Sequence, residues 1–247
     1  MIKAVLGICT FGARIGYQDY RNITTIHPNL KASIVEAPTV SGDILLELNK
    51  SHLEVFPNLN SLPIHFTASP LGLTEKADRS RSRIHHLSYP PGDLSRINAG
   101  IREHYATIQY SGIEYAIQAV QHFWRNSILI KPDFASAFRH IPVLPTDTPL
   151  LGFQWEEGFY AEHFLPFGLR TAPYLFNLFA EVSHWILEKQ LKMANITATI
   201  IHYLDHFWLV LDPGVIVNLK KSSEILTTLC AQVGLSIKTL KMKRGLP

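Results

Sequence analysis

The sequence predicts an α+β fold whose C-terminal half is a split βαβ sheet, and three observations carry that expectation. Residues 198–211 read Ala198-Thr-Ile-Ile-His-Tyr-Leu-Asp-His-Phe-Trp-Leu-Val-Leu211, two strand-forming runs flanking Tyr203-Leu-Asp-His206. That is the pattern of a hairpin holding an acid at its tip. From Ser127 to Val233 the pattern gives strand, helix, strand, strand, helix, the order of a split βαβ unit with helices on one face. Composition agrees with a packed protein: 47% hydrophobic and 17% charged residues describe a globular chain rather than a disordered one.

The elements follow in order. Met1-Ile-Lys-Ala-Val-Leu-Gly-Ile-Cys-Thr-Phe-Gly-Ala13 is too short and too broken by Gly7 and Thr10 for a secretory leader, and predicts a buried segment. Residues 14–40 show no steady period and read as an irregular extension. Ser41-Gly-Asp-Ile-Leu-Leu-Glu-Leu48 opens a helix, with Ser41 as N-cap and Asp43 complementing the dipole. Pro57, Pro63 and Pro70 keep the next stretch extended. Lys76, Asp78, Arg79, Arg81 and Arg83 form a mixed charge run, read as a solvated hairpin tip, before the Tyr89-Pro-Pro-Gly92 turn.

Ser111-Gly-Ile-Glu114 fits a capping box, followed by Ile113, Ile117, Val120 and Trp124 at helical spacing. A short strand, Ser127-Ile-Leu-Ile130, ends at Lys131-Pro-Asp133. A hairpin spans residues 150–165, turning at Glu156-Glu-Gly158, and a helix runs from about Thr171 to Met193. After the Tyr203–His206 hairpin, Asp212-Pro-Gly214 leads to a helix over residues 217–233 that Gly234 stops.

Composition also bounds the function. At 247 residues the chain is one large or two small domains. A net charge of +3 permits a nucleic-acid partner without requiring one. The 12 His residues are scattered, and Cys9 and Cys230 have no metal-site spacing. The expectation is a reducing, intracellular compartment, cytoplasmic or nuclear, without disulfides. No run approaches the roughly 20 apolar residues of a membrane span, so no membrane partner is expected.

Asp133 ends one strand and Asp205 lies between two others. In a split βαβ sheet those strands can be neighbours, which brings together two carboxylates, the hard oxygen donors that a two-Mg²⁺ phosphoryl-transfer site needs. The alternative is two unrelated turn acids.

These residues also carry a family resemblance. Ile130-Lys-Pro-Asp133-Phe-Ala-Ser-Ala-Phe-Arg-His-Ile-Pro-Val143 resembles the first catalytic motif of reverse transcriptases, and Leu165-Pro-Phe-Gly-Leu-Arg-Thr-Ala-Pro-Tyr-Leu-Phe-Asn177 resembles the second. His202-Tyr-Leu-Asp-His-Phe207 is similar to the third, where Tyr-x-Asp-Asp is usual, and Val233-Gly-Leu-Ser-Ile-Lys-Thr-Leu-Lys241 is similar to the fourth. Upstream, Phe11-Gly-Ala-Arg-Ile-Gly-Tyr17, Ser69-Pro-Leu-Gly-Leu73 and Arg83-Ile-His-His-Leu-Ser-Tyr-Pro90 resemble segments of retrotransposon-encoded members.

The resemblance implies a retroelement RNA-directed DNA polymerase that transfers deoxynucleotidyl groups from dNTPs to a primer 3′ end on an RNA or DNA template. It implies an N-terminal extension over residues 1–60, a fingers-like segment over 61–126 and a palm over 127–247, with no thumb before Pro247. Asp133 and Asp205 would hold two Mg²⁺ ions, with Mn²⁺ as the alternative, helped by the Phe134 carbonyl. Phe138 matches the steric gate beside the sugar 2′ position. Phe167, Gly168 and Arg170 would lie beside nucleotide and template, Arg83 would contact the triphosphate, and Lys241 would donate a proton to the leaving pyrophosphate.

The chain also departs from the family pattern. His206 stands where the family has a second Asp, Ser136 where many members carry an acid or amide, and Lys238-Thr239 where Asn-Pro is usual. Two dications about 4 Å apart repel by about 16 kcal/mol at an effective dielectric near 20. Losing one anionic ligand at His206 weakens the site where charge is most concentrated, and imidazole suits Mn²⁺ better than Mg²⁺. The expectation is an impaired polymerase; the alternative is a non-catalytic remnant that at most binds nucleic acid.

Overall fold

The computed structural model describes residues 1–18, 23–75, 79, 81–108, 113–123, 127–212 and 216–244. In chain order these form α1 (Ile2–Phe11), β1 (Thr25–Ile26), α2 (Lys31–Val35), α3 (Ala37–Asn49), β2 (Leu53–Phe56), β3 (Thr67–Ala68), β4 (Leu71–Glu75) and β5 (Arg81–His85). There follow α4 (Ile113–Phe123), β6 (Ile128–Phe134), β7 (Gly152–Trp155), β8 (Gly158–Glu162), α5 (Ala172–Met193), β9 (Ala198–Tyr203), β10 (His206–Leu211), α6 (Ile216–Gln232) and β11 (Ile237–Arg244).

The chain divides into two compact units. One comprises Met1–Val5, Ile108–His140 and Phe176–Pro247; the other comprises Leu6–Thr107 and Ile141–Leu175. Both are discontinuous in sequence. Residues 141–175 leave the C-terminal segment because β7 and β8 pair with β3 and β2 of the N-terminal half.

In this second unit a mixed five-stranded sheet runs β1-β3-β7-β8-β2. Val40 and Ile44 of α3 pack with Leu53, Leu71, Phe153 and Trp155. A second cluster joins Phe66, Ala68, Phe159 and Ala161. The charged hairpin is present as the antiparallel β4–β5 pair.

Three sequence expectations need correction here. Residues 14–40 are not wholly irregular, since they contain β1, α2 and the start of α3. That helix begins at Ala37 with Pro38 in its first turn, where the missing N–H costs nothing, and not at Ser41. Ser41 and Asp43 therefore lie inside the helix and bond outward. Ser41 Oγ accepts the Trp155 indole N–H at 2.9 Å, and Asp43 Oδ2 accepts the Arg83 N–H at 3.1 Å. Residues 2–11 are a helix whose Ile2, Leu6 and Phe11 are exposed rather than a buried segment, and only Val5 within it is buried.

The first unit holds a four-stranded antiparallel sheet in the order β11-β6-β10-β9. Against one face, Ala119 and Phe123 of α4 pack on Leu129, Ile201, Trp208 and Val210. The predicted hairpin forms β9 and β10, with Leu204 at φ 52° in the connection. Gly234 follows α6 at φ 76°, a conformation glycine adopts without strain, and so ends the helix as expected. The proposed cap at Ser111, the helix end at Trp124, Lys76, Asp78 and the Pro213-Gly214 turn lie outside the described residues. Among the described residues no helix is long and apolar enough to cross a membrane.

Candidate active site

Strand alternation sets the geometry of the acids. Along β6 burial alternates, with Ile128, Ile130, Pro132 and Phe134 buried and Leu129, Lys131 and Asp133 on the other, more open face. Phe134 meets Phe207 edge to face, with ring centroids 5.7 Å apart. This contact locks the β6–β10 register near the strand ends.

In that register Asp133 stands directly opposite His206 on β10, while Thr239 of β11 flanks it on the other side. Such cross-strand partners have Cβ atoms about 4.5–5.5 Å apart on one face. The Thr239 hydroxyl donates to Asp133 Oδ2 at 3.4 Å. Asp205 occupies the turn immediately before His206. The expectation that the first strand and the hairpin are neighbours is met, and the pairing adds a detail: the residue in line with Asp133 is His206, not Asp205. Asp133 and Asp205 are half-buried and His206 is exposed.

One row further along the same face, Lys241 pairs with Lys131, whose Nζ lies 5.5 Å from the centre of the Trp208 ring. Lys241 is exposed. Phe138, half-buried, meets Phe176 edge-on at 5.9 Å.

The donor set suits an ion that takes one or two carboxylates and completes its shell with substrate phosphates, the habit of Mg²⁺. It is not a preassembled cage. Among the described residues no group of three or more His, Cys, Asp or Glu side chains could hold a metal. His206 places an imidazole in this row, a softer donor type than a carboxylate oxygen.

Sequence reasoning missed a histidine pair beneath the hairpin. His184 Nδ1 and His202 Nδ1 lie 2.9 Å apart, and His202 Nε2 is 3.4 Å from Glu181 Oε1. The His202 ring stacks on Phe207 at 5.1 Å. Burial holds both imidazoles below their ordinary value, with Glu181 opposing the shift. The three groups do not converge, because Glu181 meets the ring nitrogen facing away from His184.

The remaining site candidates belong to the second unit. Gly168 has φ 108°, and a Cβ there would fall 2.0 Å from the His85 carbonyl oxygen, so only glycine fits the loop. Asn98 clamps that loop. Its Nδ2 donates to Gly168 O and to Ser88 Oγ, each at 2.8 Å, and its Oδ1 accepts the Arg170 N–H at 2.9 Å. No local sequence signal marked Asn98, which stands 72 residues from Arg170. Phe167 and Arg170 are exposed, and the Arg170 guanidinium reaches the Ile101 carbonyl at 3.3 Å.

The Arg83 side chain is buried rather than solvated. It is 5% exposed and donates at 3.1 Å to Glu162, whose side chain is fully buried. The guanidinium also lies 4.8 Å from the Phe153 ring centre. That charge is paired inside the unit.

No curated protein matches the chain. Among solved structures, the Prototype Foamy Virus protease-reverse transcriptase aligns with a TM-score of 0.63 at 20% identity, over 96% of this chain and 29% of its own. A foamy viral protease-reverse transcriptase in complex with double-stranded DNA aligns with a TM-score of 0.62 at 18% identity, over 94% of this chain and 34% of its own. The chain thus spans about a third of the length of these relatives, and at such identities the likeness is one of fold. The profile of the family described as "Reverse transcriptase (RNA-dependent DNA polymerase)" matches residues 75–246, from β4 through β11. With its acids at the ends of neighbouring strands and that match over most of its length, the chain belongs to the reverse transcriptase family.

Proposed function

We propose that the chain is an RNA-directed DNA polymerase domain of a retroelement, transferring deoxynucleotidyl groups to a primer 3′ end, and that His206 weakens it. The observation that carries this reading is the β6–β10 register, which sets Asp133 beside the hairpin whose turn holds Asp205. In this reading the β11-β6-β10-β9 sheet is the palm and the β4–β5 region belongs to the fingers. RNA or DNA template-primer and dNTP are the partners.

Asp133 and Asp205 would hold the divalent ions, two Mg²⁺ with Mn²⁺ as the alternative. A bound ion supplies Lewis-acid stabilisation of charge on the phosphoryl oxygens. The residues do the rest. Thr239 orients the Asp133 carboxylate through its hydroxyl. Lys241, on the same face one row along, donates a proton to the leaving pyrophosphate. The Phe134 carbonyl would add an oxygen ligand, and Phe138 would crowd the sugar 2′ position to favour deoxynucleotides. Phe167, Gly168 and Arg170, exposed on their clamped loop, contact nucleotide or template.

His206 favours a second reading, a nucleic-acid-binding remnant without turnover. Primer extension on an RNA template with Mg²⁺ or Mn²⁺ separates the two. The polymerase reading expects slow extension that Asp133→Asn abolishes. Salt-dependent binding of template-primer, with no extension under either ion by wild type or His206→Asp, supports the remnant.

A further inference from the structure

The proposed polymerase chemistry leaves one well-built feature of the second unit without a role. Arg14 to Gln18 line a pocket of about 480 Å³ together with Tyr105, Asp147, Thr171, Tyr174 and Leu175. That volume lies within the range of about 300–1,000 Å³ in which small-molecule sites fall.

Its floor is held from both sides. The Ile15 N–H donates to Asp147 Oδ2 at 2.9 Å, and the Ile15 carbonyl accepts the Thr171 hydroxyl at 2.9 Å. Gln18 N donates to Gly100 O at 3.0 Å, and Gly100 is bare because any Cβ would fall 2.2 Å from the Tyr17 ring. Between these anchors Gly16 turns at φ 81° and brings the backbone under Tyr105, whose ring would lie 3.3 Å from a Cβ at position 16. The backbone is therefore fixed before any ligand arrives.

The lining has three chemical parts. Tyr105, 38% exposed, and Tyr174 offer aromatic rings. Asp147 is 5% exposed, and burial pushes its carboxyl up against the opposing effects of the Ile15 N–H and Arg14. Arg14 and Gln18 are exposed at the rim. An aromatic wall, a hydrogen-bonding carboxylate and a rim cation suit a planar heterocycle that carries an anionic group.

We propose that this pocket takes one unpaired base of a single-stranded stretch of nucleic acid, with Arg14 on the adjoining phosphate. The choice of a nucleobase over other planar ligands rests on the proposed polymerase reading.

The test uses the whole chain and a fluorescein-labelled single-stranded RNA decamer carrying 5-iodouracil. Wild type is expected to bind it and, on irradiation, to crosslink at Tyr105 or Tyr174. Tyr105→Ala should weaken binding about tenfold or more, while Tyr105→Phe retains it. Arg14→Gln, an exposed change, should flatten the slope of log affinity against log salt by about 0.7, the value for one phosphate contact on a single strand. Crosslinks confined to other residues, or affinity and salt slope unchanged in both Tyr105→Ala and Arg14→Gln, would overturn the proposal, as would no binding by wild type. Primer extension run alongside keeps the two readings apart. A Tyr105 crosslink without extension sinks the polymerase reading alone, and extension with crosslinks elsewhere sinks only the pocket.

Discussion

The hairpin tip at Asp205 and the loop at Gly168 reach their geometry by different means. The tip is positioned by strand register: Asp133, His206 and Thr239 align because β6 pairs on both sides, and a single 3.4 Å side-chain bond adds to that alignment. The loop from Leu165 to Arg170 has no ladder of its own beyond isolated bonds, and distant groups hold it. Asn98 binds it at two points, and the His85 carbonyl closes against Gly168. A register-built site tolerates a changed side chain, since the backbone does not depend on it. His206 can replace an acid there without disturbing the sheet, whereas the loop admits no such exchange at Gly168 or Asn98.

That contrast can be broken most severely through Arg83 and Glu162. Removing one member of a buried ion pair is strongly destabilising, so Arg83→Ala should cost about 3–5 kcal/mol in urea unfolding. Arg83→Met with Glu162→Leu should recover most of it. A double variant no more stable than Arg83→Ala would contradict the buried pairing. Next, Gly168→Ala forces alanine into positive φ, worth about 1–3 kcal/mol before the clash with His85 is added. Thermal unfolding of that variant should shift well below wild type. Asn98→Ala strands the partners it satisfies and should cost about 1–3 kcal/mol. By comparison His206→Asp should leave unfolding within about 0.5 kcal/mol, as surface changes usually do.

A separate expected effect is the pH response under the hairpin. Burial holds the folded pKa values of His184 and His202 below the ordinary histidine value of 6.5, so below that pH the unfolded chain binds more protons. Stability contributed by the neutral pair is complete above about pH 6.5 and is lost as pH falls toward the folded values. The slope is bounded at about 1.4 kcal/mol per pH unit for each extra proton. Unfolding measured from pH 7.5 to 5 should show this decline, and His202→Leu should reduce it; an identical decline in the variant would rule out the pair as its source.

What the sequence revealed follows the same division. β6, the β9–β10 hairpin, α5 and the Gly234 stop were legible because alternation, helical period and turn chemistry are local. The start of α3 was misread because Ser41 resembles a cap, yet its hydroxyl serves Trp155 at a separation of 114 residues. Arg83 was misread for a similar reason: an arginine beside a charged run looks solvated until Glu162, 79 residues away, is folded onto it. Asn98 carried no signal, because its partners exist only in three dimensions. β6 and the β9–β10 hairpin were named correctly as neighbours in the sheet, whereas the alignment of His206 with Asp133 depends on a register that strand patterns alone do not specify.

The most direct measurement compares wild type with His206→Asp in single-nucleotide primer extension on an RNA template, with Mg²⁺ and then Mn²⁺. Restoring a carboxylate opposite Asp133 is expected to raise the Mg²⁺-dependent rate at least about tenfold, in line with the cost of disturbing metal-site residues. It should also narrow the gap between Mn²⁺ and Mg²⁺. Equal and robust Mg²⁺-dependent extension by both proteins would contradict the claim that His206 impairs the site.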